Sequence, residues 1–471
     1  MERNKRRALI YFLILLAGSF FLRLIRINQG LWYDEIHTLL RFVMSGYREI
    51  ATSLPVPNNH ILYSLLAKVS ISIFGLKEWS VRLPSLLIGG ITPAILYLLF
   101  RKRAGEEAAL MASAFMTLSF WMIWFSQDAR GYAGLILFSA LSNLFYLEWL
   151  DQGKARTATW YVLVSVISFY FFLYTGFIVI SQMIYGLIRR HRRAGEQKPF
   201  LYLLPLIPLA IALGLYAPGL EGLYLFVQTR GKEIAGRGLD LNFLAGLIKM
   251  LAGTHWIIFG IFASLLFLLG LPKLVRIQSG LVWLYVLPAG LVILATAFFR
   301  VFIYPRFLSF LIPFFLLGAA SGIELINERA LLRFPRLRKI FLPCALAGMI
   351  CVFLIISLGR YYQLGKQGFK SAARYINRTY PIQDVASIGL SGFEYRYYDQ
   401  YAYAYEQAEI LSPADLFGKI AVATHPGDLP KPTRALLKEL CAEDKVFLSA
   451  AGPENNVYVY RCFEDVGKPK N

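Results

Sequence analysis

The chain has 471 residues, 57% of them hydrophobic and 15% aromatic with only 17% charged, an apolar balance outside the range of soluble domains. A formal charge of +20 would suit nucleic acid if it covered a soluble surface, but from residue 360 onward 14 Lys+Arg stand against 13 Asp+Glu, so the excess lies in the apolar part. It sits there in short clusters between hydrophobic runs, the positive-inside pattern of a multi-pass membrane protein surrounded by lipid, which excludes nucleic acid as a partner.

Arg3, Lys5, Arg6 and Arg7 precede the first apolar run and no small-residue cleavage site follows it, so the run is an uncleaved span with a cytoplasmic N-terminus. Further basic clusters at 101–103, 154–156, 189–193, 273–276 and 329–339 mark later cytoplasmic loops. Spans are expected near 8–27, 82–100, 107–125, 131–150, 158–173, 176–188, 199–218, 247–271, 280–299, 307–326 and 340–359. These are about eleven, an odd number, which puts the C-terminus outside. The fifth and sixth are short, with the Tyr174-Thr175-Gly176 turn between them.

The first outer loop, 28–80, begins with Trp32-Tyr33 and the acidic pair Asp34-Glu35. Apolar residues then fall at Ile36, Leu39, Leu40, Val43, Tyr47 and Ile50, opposite His37, Arg41, Arg48 and Glu49, which predicts one helix lying flat on the membrane and ending at Pro55 and Pro57. The apolar run 61–74 is too short to span and rests in the interface. Residues 1–360 thus read as a transmembrane catalytic domain, and 361–471 as an extracytoplasmic soluble α/β domain. In that tail helices are expected at 370–377 and 433–440, and strands at 385–390, 445–449 and 457–460. Cys441 and Cys462 flank its last strand and either pair in an oxidising compartment or stay as buried thiols. No cysteine has the CxxC or Cys/His spacing of a zinc site, and no metal ligands are assigned.

Charges are nearly absent from the middles of the spans and gather at their outer ends. A transporter carries ionisable groups at mid-depth, whereas an enzyme joining a membrane lipid to a water-side acceptor needs them at the interface. Asp34 and Glu35 are candidates for a catalytic base; they equally fit a structural role, with Asp34 as helix cap and Glu35 as a first-turn charge. Arg130, beside Asp128, and Arg306, beside Tyr304, are candidates for holding an anionic phosphate, since arginine donates in pairs. Each singly also fits a snorkelling charge, and Arg130 an ion pair with Asp128. Arg230, Lys232 and Arg237 lie in a glycine-containing outer loop that could cover a substrate or simply be solvated. His60 and His255 lie near the outer surface, where histidine is more often a structural hydrogen-bonder than a ligand.

The order of these pieces resembles the GT-C superfamily of membrane glycosyltransferases, in the bacterial branch near protein mannosyltransferases and the lipid A aminoarabinose transferase. The resemblance rests on Leu31-Trp32-Tyr33-Asp34-Glu35; on Asn59-His60-Ile61-Leu62-Tyr63 with Phe74-Gly75-Leu76-Lys77-Glu78 and Arg82-Leu83-Pro84-Ser85; on Ser126-Gln127-Asp128-Ala129-Arg130-Gly131-Tyr132; and on Tyr304-Pro305-Arg306. It implies an α-helical polytopic fold with a small outer α/β domain in the inner or plasma membrane, Asp34 as the base, and a polyprenyl-phosphate-linked sugar as donor. It further implies an inverting transfer to an acceptor hydroxyl on a lipid, glycan or protein. No cofactor is required, and activation by a divalent metal is left open. The chain lacks the large added domain of eukaryotic protein mannosyltransferases and has fewer expected spans than the aminoarabinose transferase, so the acceptor is not carried over. Two readings of another class compete: a polyprenyl-lipid flippase or solute transporter, and a non-catalytic envelope assembly factor.

Overall fold

The computed structural model describes all residues except 1, 55–58, 193–201, 230–238, 300–302, 334–340, 382, 390–391, 406–408, 451 and 464–471. The chain forms two compact units: Met1–Ile27 with Phe42–Leu358, and Asn28–Arg41 with Gly359–Asn471.

The first unit is helical. Its elements include α1 (Glu2–Leu24), α3 (Tyr47–Thr52), α4 (Ile61–Phe74), α5 (Glu78–Ala104), α6 (Glu106–Leu118), α7 (Phe120–Ser126), α8 (Tyr132–Gln152), α9 (Ala155–Phe171) and α10 (Thr175–Arg192). After α11 (Leu206–Tyr216), α12 (Leu220–Thr229) and α13 (Leu241–Leu251) come α14 (Ile257–Phe299), α15 (Ile312–Arg333) and, up to Leu358, α16 (Phe341–Leu364). Among the described residues seven helices are long and apolar enough to cross a membrane, or eight when α6 and α7, bent by 61°, count as one broken span. One of the seven, α14, holds two of the expected spans. Its 43 residues would extend about 64 Å, twice the bilayer core. The helix is interrupted at Gln278 (φ −151°, ψ 67°). The span expected at 247–271 starts instead at Ile257, because α13 is a separate helix, capped by Asp240 on the Phe243 N–H (2.7 Å) and ended near Gly253 at φ +75°.

Close packing inside lipid needs small residues and polar contacts. Gly318 and Gly322 on α15 meet Phe267, Leu266 and Gly270 on α14 so tightly that a Cβ at either would collide. Gln182 on α10 bonds Ser142 (2.8 Å) and Asn143 (2.9 Å) on α8 and receives the Tyr161 hydroxyl of α9 (2.8 Å). At the basic ends Arg103 and Arg189 share Asp151 (3.1 and 2.9 Å), and Lys273 bridges Glu324 and Glu328 (3.0 and 2.7 Å).

The second unit contains α2 (Tyr33–Thr38) and the tail: α17 (Phe369–Thr379), α18 (Gly392–Tyr395), α19 (Pro413–Leu416) and α20 (Lys431–Leu440) around one five-stranded sheet. Strands β1 (Val385–Ile388), β2 (Tyr403–Tyr405), β3 (Ile420–Thr424), β4 (Cys441–Phe447) and β5 (Val457–Cys462) lie in the order β2-β1-β3-β5-β4. β1 runs parallel to β2 and β3, while β5 is antiparallel to β3 and β4. Every residue of the central β3 is buried, and Ala386, Ile388, Leu416, Ala421 and Leu437 form the core. Cys441 and Cys462 form a disulfide across the β4–β5 pair. The expected helices and three expected strands have counterparts here; β2 and β3 are additional.

The single flat helix expected after Asp34-Glu35 is instead three pieces. α2 passes into a π-helical turn, Leu39–Val43, and α3 starts afresh after Gly46, whose extended backbone (φ −65°, ψ 151°) forms its N-cap. α3 ends at Ser53 in extended conformation; Pro55 and Pro57 lie outside the described residues.

Candidate active site

The acidic pair lies on a six-residue helix, too short to be stable alone. Its own unit holds it by polar contacts. The Leu31 N–H donates to the Tyr398 hydroxyl (2.6 Å), the Tyr33 N–H to Gln367 Oε1 (2.9 Å), and the Gln29 amide to the Tyr361 hydroxyl (2.7 Å). His37 Nδ1 lies 3.2 Å from Glu394 Oε1. Trp32, in extended conformation, is the N-cap, so Asp34 is the second helical residue and not the cap. The capping carboxylate is Glu35, which accepts the Trp32 N–H at 3.2 Å. Its other oxygen faces Lys366 Nζ at 3.6 Å, with both side chains fully buried. Asp34, 4% exposed, is immobilised between these contacts, its carbonyl accepting the Thr38 hydroxyl at 2.8 Å.

A second cluster lies within the helical unit. The turn between α7 and α8 presents Arg130, 1% exposed, and its carbonyl accepts the Ser85 hydroxyl at 2.9 Å. Arg130 Nε donates to His60 Nε2 at 3.3 Å, and its guanidinium lies 5.5 Å from the Tyr132 ring. The accepting nitrogen makes His60 a neutral imidazole. Burial, reinforced by Arg130 and then Arg306, pushes its pKa well below the usual 6.5, against an opposing backbone hydrogen bond at Phe171. The ring stacks on Phe172 at 4.7 Å, Phe172 leads to Phe307, and Phe307 to Tyr304, over whose ring Arg306 lies at 4.6 Å. At Gly131 a Cβ would strike the Phe171 carbonyl and His60, so only glycine lets the turn approach.

The structure therefore gathers His60, Arg130, Tyr304 and Arg306 into one aromatic-walled, cationic cluster. Asp128 is buried in the same turn, where its carbonyl accepts the Arg130 N–H at 2.7 Å. Asp34 and Glu35 belong to the other unit, and Arg230, Lys232 and Arg237 lie outside the described residues. His255 lies 2.8 Å from the Ser357 hydroxyl and meets the Trp256 ring edge-on, a structural role. Among the described residues no group of three His, Cys, Asp or Glu is placed to hold a metal ion.

The family described as Dolichyl-phosphate-mannose-protein mannosyltransferase matches residues 57–216, which contain the His60–Arg130 half of this cluster. The apo crystal structure of ArnT from Cupriavidus metallidurans superposes over 99% of this chain and 100% of its own with a TM-score of 0.57 at 12% identity. The chain therefore has the fold of this membrane protein. A second neighbour is ArnT from Cupriavidus metallidurans bound to undecaprenyl phosphate (TM-score 0.55, 12% identity, 98% of this chain and 99% of that one). A third is the oligosaccharyltransferase AglB of Archaeoglobus fulgidus, in complex with an inhibitory peptide and a dolichol-phosphate (0.52, 12%, 93% and 73%). In sequence, YkcB of Bacillus subtilis (strain 168), provisionally named a mannosyltransferase, is 25% identical over 167 residues, which cover 33% of this chain and 22% of YkcB.

Several positioning groups escaped sequence reading. Asn59 ties α3 to α4, its amide donating to the Ile50 and Ser53 carbonyls (3.0 and 2.9 Å) while its carbonyl accepts from Ser64. Buried Arg82 donates to the Ile27 carbonyl at 2.8 Å. Both stand in motifs that carried the resemblance; Lys366, Gln367, Glu394 and Tyr398 stand in none.

Proposed function

We propose that this protein is an inverting glycosyltransferase that moves a monosaccharide from a polyprenyl-phosphate carrier to an acceptor hydroxyl at the outer face of the inner or plasma membrane. The observation that carries this reading is the buried Arg130 held by a neutral histidine beside Arg306. A guanidinium donates in pairs and so suits an anionic phosphate. The wall of Tyr132, Phe172, Phe307 and Tyr304 keeps that charge in a low dielectric, where it acts strongly.

In the proposed step, the Asp34 carboxylate takes the proton of the acceptor hydroxyl as its oxygen forms a bond to the anomeric carbon. The bond from that carbon to the carrier phosphate oxygen breaks, and the electron pair leaves with the phosphate. A phosphate monoester, with a second pKa of about 6, departs without a proton donor, so one base suffices. Arg130 and Arg306 take up the charge that grows on it, favouring the transition state over the ground state. Glu35, already paired with Lys366 and the helix N-terminus, positions the segment and does not exchange protons. No step is assigned to a metal.

Residues 1–360 form the catalytic membrane domain in this reading, and 361–471 lie outside the cell membrane. The basic loop clusters and the Cys441–Cys462 disulfide, a bond of oxidising compartments, support that sidedness. The donor class follows the ArnT and AglB complexes with polyprenyl phosphates. To test it, purified protein is given radiolabelled undecaprenyl- and dolichyl-phosphate sugars with an envelope extract. Label leaving the carrier for a new product supports the reading, and carrier that crosses the bilayer with its sugar still attached replaces it with a flippase.

A further inference from the structure

A cavity of about 350 Å³ lies among Asp151 at the end of α8, Tyr185, Ile188 and Arg189 of α10, and Arg276 to Trp283 around the break in α14. It falls within the roughly 300–1,000 Å³ of small-molecule sites. α8 runs 21 residues from the turn that holds Arg130 to Asp151, a rise of about 30 Å, so the cavity sits at the other end of the helices. Those ends carry the basic clusters.

The charge of the cavity is fixed by its ion pairs. Asp151 is already met by Arg103 at 3.1 Å and Arg189 at 2.9 Å, two cations on one carboxylate. Arg276 is exposed and makes no ion pair or hydrogen bond among the described residues. The lining is therefore net positive and supplies the Ser279 hydroxyl besides; at Gly280, the close-packed Tyr185 leaves no room for a side chain. Ile188, Ile277 and Trp283 are 42%, 46% and 44% exposed beside these cations. An apolar rim with an interfacial tryptophan around a cationic hollow matches an amphiphile with an anionic head.

We propose that this cavity binds the phosphate-bearing headgroup of an anionic membrane lipid, with Arg276 and Arg189 on the phosphate and the acyl chains along Ile188, Ile277 and Trp283. Such a lipid fills the gap where α14 is interrupted and fixes the protein's depth in that leaflet. The site is separate from the Arg130 cluster and does not depend on the reaction proposed above.

The test uses the full chain in a neutral detergent, titrated with dioleoyl phosphatidylglycerol, dioleoyl phosphatidylcholine or inorganic phosphate, with bound lipid counted by native mass spectrometry. One phosphatidylglycerol is expected to be retained in preference to phosphatidylcholine and not to be displaced by millimolar phosphate. Arg276→Gln is expected to weaken its retention about fivefold, the effect of one charge near a lipid phosphate, while Lys102→Gln, an exposed cation at the same end outside the cavity, leaves it unchanged. Trp283→Ala is expected to weaken both lipids. Equal retention of the two lipids, equal effects of Arg276→Gln and Lys102→Gln, or displacement by phosphate alone would each overturn the proposal.

Discussion

The segment around Asp34 and the turn around Arg130 are both built from buried polar residues, yet they are held in different ways. Asp34 rides on six helical residues tied down by hydrogen bonds and a buried ion pair to residues that end α16 or follow it in the chain. Arg130 sits in a turn between long helices, wedged by stacked rings and a glycine contact that admits no side chain. The first arrangement places a carboxylate accurately but depends on the second unit folding correctly. The second is part of the membrane framework and survives as long as the helices pack. The proposed base, which must meet an acceptor, suits the former, and the proposed phosphate site suits the latter.

The largest effect expected is on chemistry. Asp34→Asn keeps the shape of the side chain and removes the proposed base, and turnover should fall by about 10³-fold, within the usual range for general-base catalysis. Next, Arg130→Gln should lower kcat/KM about 10²- to 10³-fold and raise the donor KM as well, since the guanidinium meets phosphate in both ground and transition states. If Arg130→Gln left donor kinetics untouched, the cationic cluster would be structural only.

The third prediction concerns stability. Lys366→Met removes the cation that faces the buried Glu35 carboxylate and should cost about 3–5 kcal/mol, seen as a lower unfolding midpoint. The double variant Glu35→Gln/Lys366→Met should recover most of that loss. An unchanged midpoint in Lys366→Met would show that the ion pair does not hold the segment.

The smallest effect separates the two regions by pH. His60 is neutral in the fold, with its pKa driven below 6.5 by burial and by Arg130. Below pH 6.5 the unfolded chain therefore binds a proton that the folded chain refuses. The stability is fully present above about pH 6.5 and falls by up to about 1.4 kcal/mol per pH unit as the pH drops toward the folded-state value. His60→Gln should lose this contribution to acid sensitivity, read from unfolding midpoints at pH 7.5 and 5.5.

The two regions also differ in what the sequence revealed. His60, Arg130, Tyr304 and Arg306 each stand in a short local motif at a helix end, where hydropathy and charge make them visible. Their convergence needs only that the spans pack side by side. The partners of the acidic segment are hidden by distance: Gln367 and Tyr398 reach Tyr33 and Leu31 across 334 and 367 residues, and nothing local marks them. The same limit explains α2 and α3. A 3.6-residue stripe runs through both, yet Gly46 resets the backbone, and periodicity does not register a break that preserves phase. β3 was missed because Ile420–Thr424 is short and its side chains are mostly small; left-handed backbone at Gly418 and His425 brackets it.

The measurement that tests the account most directly compares wild type with Asp34→Asn, reading single-turnover transfer from a labelled polyprenyl-phosphate sugar and, separately, equilibrium binding of that donor. The account predicts transfer lost by about 10³-fold while the donor still binds within about twofold of wild type. Transfer at the wild-type rate by Asp34→Asn would contradict the account.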